Sequence, residues 1–122
     1  MKNWYSGLEN RYASFPRETQ ILNMVSDMQK AANLWTSSRQ NARNHVYRAI
    51  ILLDYIVADP KWKGRRRELL RLREVLAGRL VAGEHAEPFE NIIRAALLLN
   101  PAAWRRLGGQ YSEVRKGGPD AY

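Results

Sequence analysis

The sequence predicts an all-α protein, a helical bundle of four main helices with short N- and C-terminal helices. Three observations carry that expectation. Apolar residues recur at spacings of three and four, not two, along most of the chain. Pro16, Pro88 and Pro101 fall where one apolar stripe stops and the next begins, and proline favours the first turn of a helix. No alternating apolar run is bounded by turn residues, so no sheet is expected. A chain of 122 residues, 45% apolar and 26% charged, fits one folded domain.

The first helix is short, roughly Lys2 to Ala13, with Tyr5, Leu8, Tyr12 and Phe15 as its stripe. Ser14 and Pro16 mark its end. The second runs from about Pro16 to Thr36, with Glu18 in its first turn, where negative charge is favoured. Ile21, Val25, Met28, Ala32 and Trp35 lie on one face. The third starts near Ser38 and ends at Asp59-Pro60. Its segment from Ala49 to Ala58 is apolar almost all round apart from Asp54, which predicts a central helix. One unbroken helix from Pro16 to Ala58 would be roughly 64 Å long. A compact chain of this size has a radius of gyration of only about 14 Å. A break at Thr36-Ser37-Ser38 is therefore expected, with serine as the cap.

Lys61 to Gly64 reads as a link. Arg65 to Ala82 is the fourth helix, with Leu69, Leu72, Leu76 and Leu80 as its seam and Gly83 as its stop. Pro88 opens the fifth, with Phe89, Ile92, Ile93, Ala96 and Leu99 inward. Asn100-Pro101 caps and starts a last short helix over Ala102 to Leu107. Residues 1–107 read as a single helical-bundle domain, and 108–122, which lack apolar periodicity, as a flexible C-terminal tail.

The charge is unevenly placed. The chain carries 20 Lys+Arg against 12 Asp+Glu, a formal net charge of +8. Lys30 to Leu53 holds Lys30, Arg39, Arg43 and Arg48 and no acid. Lys61 to Leu80 holds Lys61, Lys63, Arg65, Arg66, Arg67, Arg71, Arg73 and Arg79, opposed only by Glu68 and Glu74. Helix physics does not ask for this pattern, because cations in a first turn oppose the macrodipole by roughly 0.3–1 kcal/mol each. A phosphate backbone is one reason to place arginines there. Trp62, between two lysines, is a candidate for stacking on a base or for covering the bundle end. Arg39, Arg43 and Arg48 would extend the basic face if the third helix packs beside the fourth. A solvated surface and a dock for an acidic protein are the competing readings.

Catalytic and metal chemistry finds little support. There is no cysteine, which excludes disulfides, thiolate metal sites and cysteine nucleophiles. Phosphate-loop, dinucleotide and serine-hydrolase motifs are absent. Glu84, Glu87 and Glu90 around His85 read as favourable charge at the start of the fifth helix, not as a metal site. Asp54 reads as a buried structural acid paired with an Arg or a Tyr. Neither a metal nor a cofactor is expected. Trp4, Trp35 and Trp104 read as core or bundle caps.

Two resemblances remain. Arg39 and His45 stand in the R-x5-H spacing and so resemble HEPN-type ribonucleases, which are small helical bundles. That resemblance implies RNA cleavage at a site completed across a dimer. Gln40 departs from the polar Asn, Asp or His usual after the arginine, and the motif lies mid-chain. Phe15-Pro16 followed by Gln29-Lys30-Ala31-Ala32 is similar to small bundles that include the intervening-sequence proteins of ribosomal RNA genes and the accessory proteins of diversity-generating retroelements. The remaining spacing departs, and no family is assigned on it.

No run approaches the ~20 apolar residues of a membrane span, and the N-terminus lacks a signal-peptide stretch. The expectation is a cytoplasmic, non-enzymatic subunit that binds nucleic acid, with RNA or single-stranded DNA ahead of duplex DNA. A protein–protein adaptor docking an acidic partner, with a possible homo-oligomer, comes second, and an HEPN-like ribonuclease third.

Overall fold

The computed structural model describes residues 6–81 and 86–111. Among them every regular element is helical: α1 (Ser6–Ala13), α2 (Arg17–Leu34), α3 (Arg39–Ala58), α4 (Arg66–Gly78), α5 (Phe89–Leu97) and α6 (Pro101–Leu107). Tight 3-10 turns cover Pro60–Arg65 and Gly108–Tyr111. The expected starts of the first helix at Lys2 and of its stripe at Tyr5 lie outside the described residues, as do Trp4 and Gly83.

Helices α2 to α5 make an up-and-down bundle. The pairing of Asp27 with His45 and of Gln20 with Asp59 sets α2 antiparallel to α3. Arg73 to Asp54 and Arg66 to Val57 set α3 antiparallel to α4. α5 closes the ring against α2 and α4, α1 lies on α3, and α6 lies on α2 and α5. The periodic positions form the core: Ile21, Val25 and Met28 of α2, Val46, Leu53 and Ile56 of α3, Leu69, Leu72 and Leu76 of α4, and Ile92, Ile93 and Ala96 of α5 are all buried. Each of the larger of these side chains contributes about 1.5–3 kcal/mol when removed from water.

The break between α2 and α3 falls at the serines. Ser38 is the N-cap residue of α3, but its hydroxyl makes no capping bond and accepts from Asn41 Nδ2 at 2.8 Å instead. Asn100 caps α6 as expected, its Oδ1 accepting from the Ala103 N–H at 2.9 Å, with Pro101 in the first turn. α4 ends at Gly78, earlier than its apolar seam suggests, and Leu80 follows in a turn.

Three local readings are corrected. Asp54 is exposed, not buried, because it lies on the outer edge of the α3–α4 seam; its partner is an arginine all the same. The segment Lys61–Gly64 is not an irregular link but part of a 3-10 turn, capped by Asp59, whose Oδ1 accepts from the Lys61 N–H at 2.9 Å. Order continues past Leu107, since Gly108–Tyr111 turns back onto the bundle and the Tyr111 hydroxyl accepts from Gln29 Nε2 at 3.1 Å. Residues 112–122 lie outside the described residues.

Candidate nucleic-acid interface

The start of α4 is held by a buried polar network. Gln20 of α2 is fully buried. Its Nε2 donates to the Tyr12 carbonyl at 2.8 Å and to Asp59 Oδ2 at 3.0 Å. Its Oε1 accepts from Trp62 Nε1 at 2.7 Å. The Tyr12 hydroxyl donates back to the Gln20 carbonyl. Burial, then the Asp27 charge, pushes the Tyr12 phenol up, so it stays a donor. Burial alone would raise the Asp59 carboxyl, but hydrogen bonds from Lys61 and Gln20 outweigh it and hold it below the ordinary carboxylate range. One side chain thus ties α1, α2, the end of α3 and the turn that launches α4.

This network removes Trp62 from the candidate site. The indole is 1% exposed, so it cannot stack on a base. It covers the bundle end, with its N–H satisfied by Gln20. Lys61 is also engaged: its Nζ donates to Asp59 Oδ2 and to the Ala13 carbonyl, both at 2.7 Å. Arg73 lies against Asp54, donating at 2.6 and 3.3 Å, and that carboxylate raises the guanidinium's pKa.

Five cations are left facing water at the start of α4. Lys63 and Arg67 are exposed and have neither hydrogen bond nor ion pair among the described residues. Arg65 touches Glu68 at 3.2 Å, an exposed pair worth about 0–1 kcal/mol. Its hydrogen bond holds the Glu68 carboxyl below its ordinary value. Arg71 approaches Glu74 at 3.9 Å with both side chains about three-quarters exposed. Arg66 donates only its Nε, to the Val57 carbonyl at 3.2 Å, leaving the outer edge of the guanidinium open. The positive end of the α4 dipole adds to their potential. Arg17 joins them from α2, its Nε donating to the Lys61 carbonyl at 3.2 Å. Sequence reading missed it because the contact spans 44 residues.

The other candidates sit elsewhere. Arg39 and Arg79 gather at the opposite end of the α3–α4 pair, roughly 20 Å away along α4. Their guanidinium carbons lie 4.3 and 4.5 Å from the centre of the Trp35 ring, and Arg79 is also 4.2 Å from Phe89. Burial, then Arg39, lowers the Arg79 pKa. Arg43 donates to the Leu80 carbonyl at 3.1 Å and so ties off the turn that follows α4. Arg48 turns toward α2, where its Nε is 3.6 Å from Asp27. The packing of α3 beside α4 therefore does not merge these arginines with the Lys63–Arg71 cluster.

Arg39 and His45 have separate partners. Arg39 Nε donates to the Trp35 carbonyl at 2.6 Å, whereas His45 Nδ1 lies 2.9 Å from Asp27. Six residues apart on a helix, they point about 120° from one another. Of the acidic group near the start of α5, Glu84 and His85 lie outside the described residues; Glu87 accepts from Asn91 Nδ2 at 2.8 Å. No described helix is long and apolar enough to cross a membrane.

No protein-family model matches the chain, and neither a curated protein nor a solved structure matches it.

Proposed function

We propose that this protein is a non-enzymatic, cytoplasmic accessory subunit of a nucleoprotein assembly, and that it binds the phosphate backbone of nucleic acid through the start of α4. The observation that carries the reading is the exposed Lys63, Arg65, Arg66, Arg67 and Arg71 set at the positive end of a helix, in which Glu68 and Glu74 form only exposed pairs with Arg65 and Arg71. Arginine in this setting offers bidentate contacts to phosphate. Because Trp62 is buried, it gives the cluster no stacking platform, which supports backbone contact over base reading. RNA or single-stranded DNA is placed ahead of duplex DNA because, among the described residues, the short helix–helix turns 35–38 and 98–100 lack the glycine typical of a helix-turn-helix.

Fluorescence anisotropy with labelled single-stranded RNA and duplex DNA across a salt series tests the reading. Four or five neutralised phosphates give a slope of log affinity on log salt near −3 for a single strand. Affinity should therefore fall about a hundredfold between 50 and 200 mM salt. Arg66→Glu/Arg67→Glu should remove most of the binding and flatten the slope. Absence of binding at low salt, or an unchanged slope in the double variant, refutes the reading.

A further inference from the structure

Among the described residues the α4–α5 seam is open. Of the bundle's four helix pairs, α4–α5 is the least extensive, and the flanking helices cover other faces: α1 packs on α3, and α6 on α2 and α5. A groove of about 610 Å³ runs along α4–α5. Its floor is apolar, built from Leu72, Val75, Ile92, Ala95, Leu98 and Leu99. Leu98 is 46% exposed, so a large apolar side chain faces water there. On α4 the lining positions recur at three and four residues, as they do on α5. The floor shares Leu72 and Ile92 with the core and adds Val75 of α4, Ala95 of α5 and, just past the end of α5, Leu98 and Leu99.

The groove is rimmed by cations. Arg67 and Arg71 stand on the α4 side and Arg94 on the α5 side. Arg94 also has a buried Nε with no acceptor among the described residues. The two lining acids are already engaged, Glu68 by Arg65 and Glu87 by Asn91. An apolar channel with exposed Arg67 and Arg71 on one rim and Arg94 on the other fits an amphipathic helix that carries apolar anchors at i, i+4 and i+7 flanked by carboxylates. A second copy of this chain fits poorly, because two surfaces of net charge +8 repel.

We propose that the α4–α5 groove docks an acidic amphipathic helix of a partner protein. Arg67 and Arg71 belong to both surfaces, so a docked acidic helix competes with a polyanion for them. The proposal stands on the groove itself and does not need the nucleic-acid reading to hold.

The test uses three fluorescein-labelled synthetic helical peptides. One has leucines at i, i+4 and i+7 flanked by glutamates, the second replaces the glutamates with lysines, and the third scrambles the first. Anisotropy should show the acidic amphipathic peptide binding at least tenfold more tightly than either control. Leu98→Glu changes an exposed residue, so the fold should survive it, as circular dichroism will show. It should weaken the acidic peptide at least tenfold and RNA by clearly less, because RNA meets Arg67 and Arg71 without entering the apolar floor. Equal binding of all three peptides, no binding, or an unaffected Leu98→Glu protein overturns the proposal. So does a wild-type dimer in sedimentation that Leu98→Glu dissociates, since a second copy would then occupy the groove. Loss of RNA binding alone would count against the α4 cluster and not against the groove.

Discussion

Replacing Gln20 with leucine tests whether one buried amide holds the α4 end of the bundle together. The substitution keeps the side chain near its original size and removes three hydrogen bonds. Trp62 Nε1, 1% exposed and 2.7 Å from Gln20 Oε1, loses its acceptor. An orphaned buried donor costs about 1–3 kcal/mol. The Tyr12 carbonyl keeps a bond from the Phe15 N–H and Asp59 keeps Lys61, so each of those losses costs only about 0.5–1.5 kcal/mol. Burial of the leucine methyls returns about 1 kcal/mol. The net expectation is a loss of about 1–5 kcal/mol, a large share of the 5–15 kcal/mol typical of a domain. Urea unfolding followed by far-ultraviolet circular dichroism measures it. Trp62→Phe deletes the other partner, and the double variant no longer has an orphaned indole N–H. The two single losses should therefore exceed the double loss by at least about 1 kcal/mol. A Gln20→Leu cost below about 1 kcal/mol, or additivity within about 0.5 kcal/mol, would refute the argument.

Two further outcomes follow from the same geometry. Asp59 has a folded pKa below its unfolded value, so its stabilising effect is complete above the unfolded value near 3.9 and is lost as pH falls through the folded one. Asp59→Asn should flatten the acid limb of a melting-temperature profile below about pH 4, and an unchanged limb would contradict the network. Gly108 sits directly beneath the Trp104 indole, where an added Cβ would overlap the ring. Gly108→Ala should cost about 1–3 kcal/mol by overpacking, whereas Gly109→Ala, with open space around it, should cost little. Equal melting temperatures for the two variants would show that the ring moves freely.

Helix order and core stripes were legible because they rest on local signals: the three-four spacing, Pro16, the serines before Arg39 and the Asn100-Pro101 pair. What was not legible depends on distant partners. Trp62 between two lysines reads in sequence as either a stacking platform or a cover for the bundle end, and an amide 42 residues away decides for the cover. Asp54 in an apolar run looks buried, yet the outer edge of α3 faces Arg73 on the neighbouring helix. The arginines were read by their charge, and charge alone does not distinguish Lys61, clamped to Asp59 and Ala13, from Lys63, which faces water two residues later. Arg17 reached the cluster, and Arg94 the groove, from other helices, where no local pattern marks them.

The C-terminal docking onto α2 has a kinetic consequence. α2 and α3 form a hairpin whose contacts span short stretches of chain, whereas Arg106 meets Glu18 across 88 positions and Tyr111 meets Gln29 across 82. Closing loops of that size costs conformational entropy before any contact rewards it. The α2–α3 hairpin is therefore expected to form before α6 latches. Substitutions along the latch act mainly on the rate at which the molecule opens, while those in the α2–α3 seam slow its assembly. Resistance to proteolysis should then respond to substitutions in α6, far in sequence from the α2–α3 hairpin.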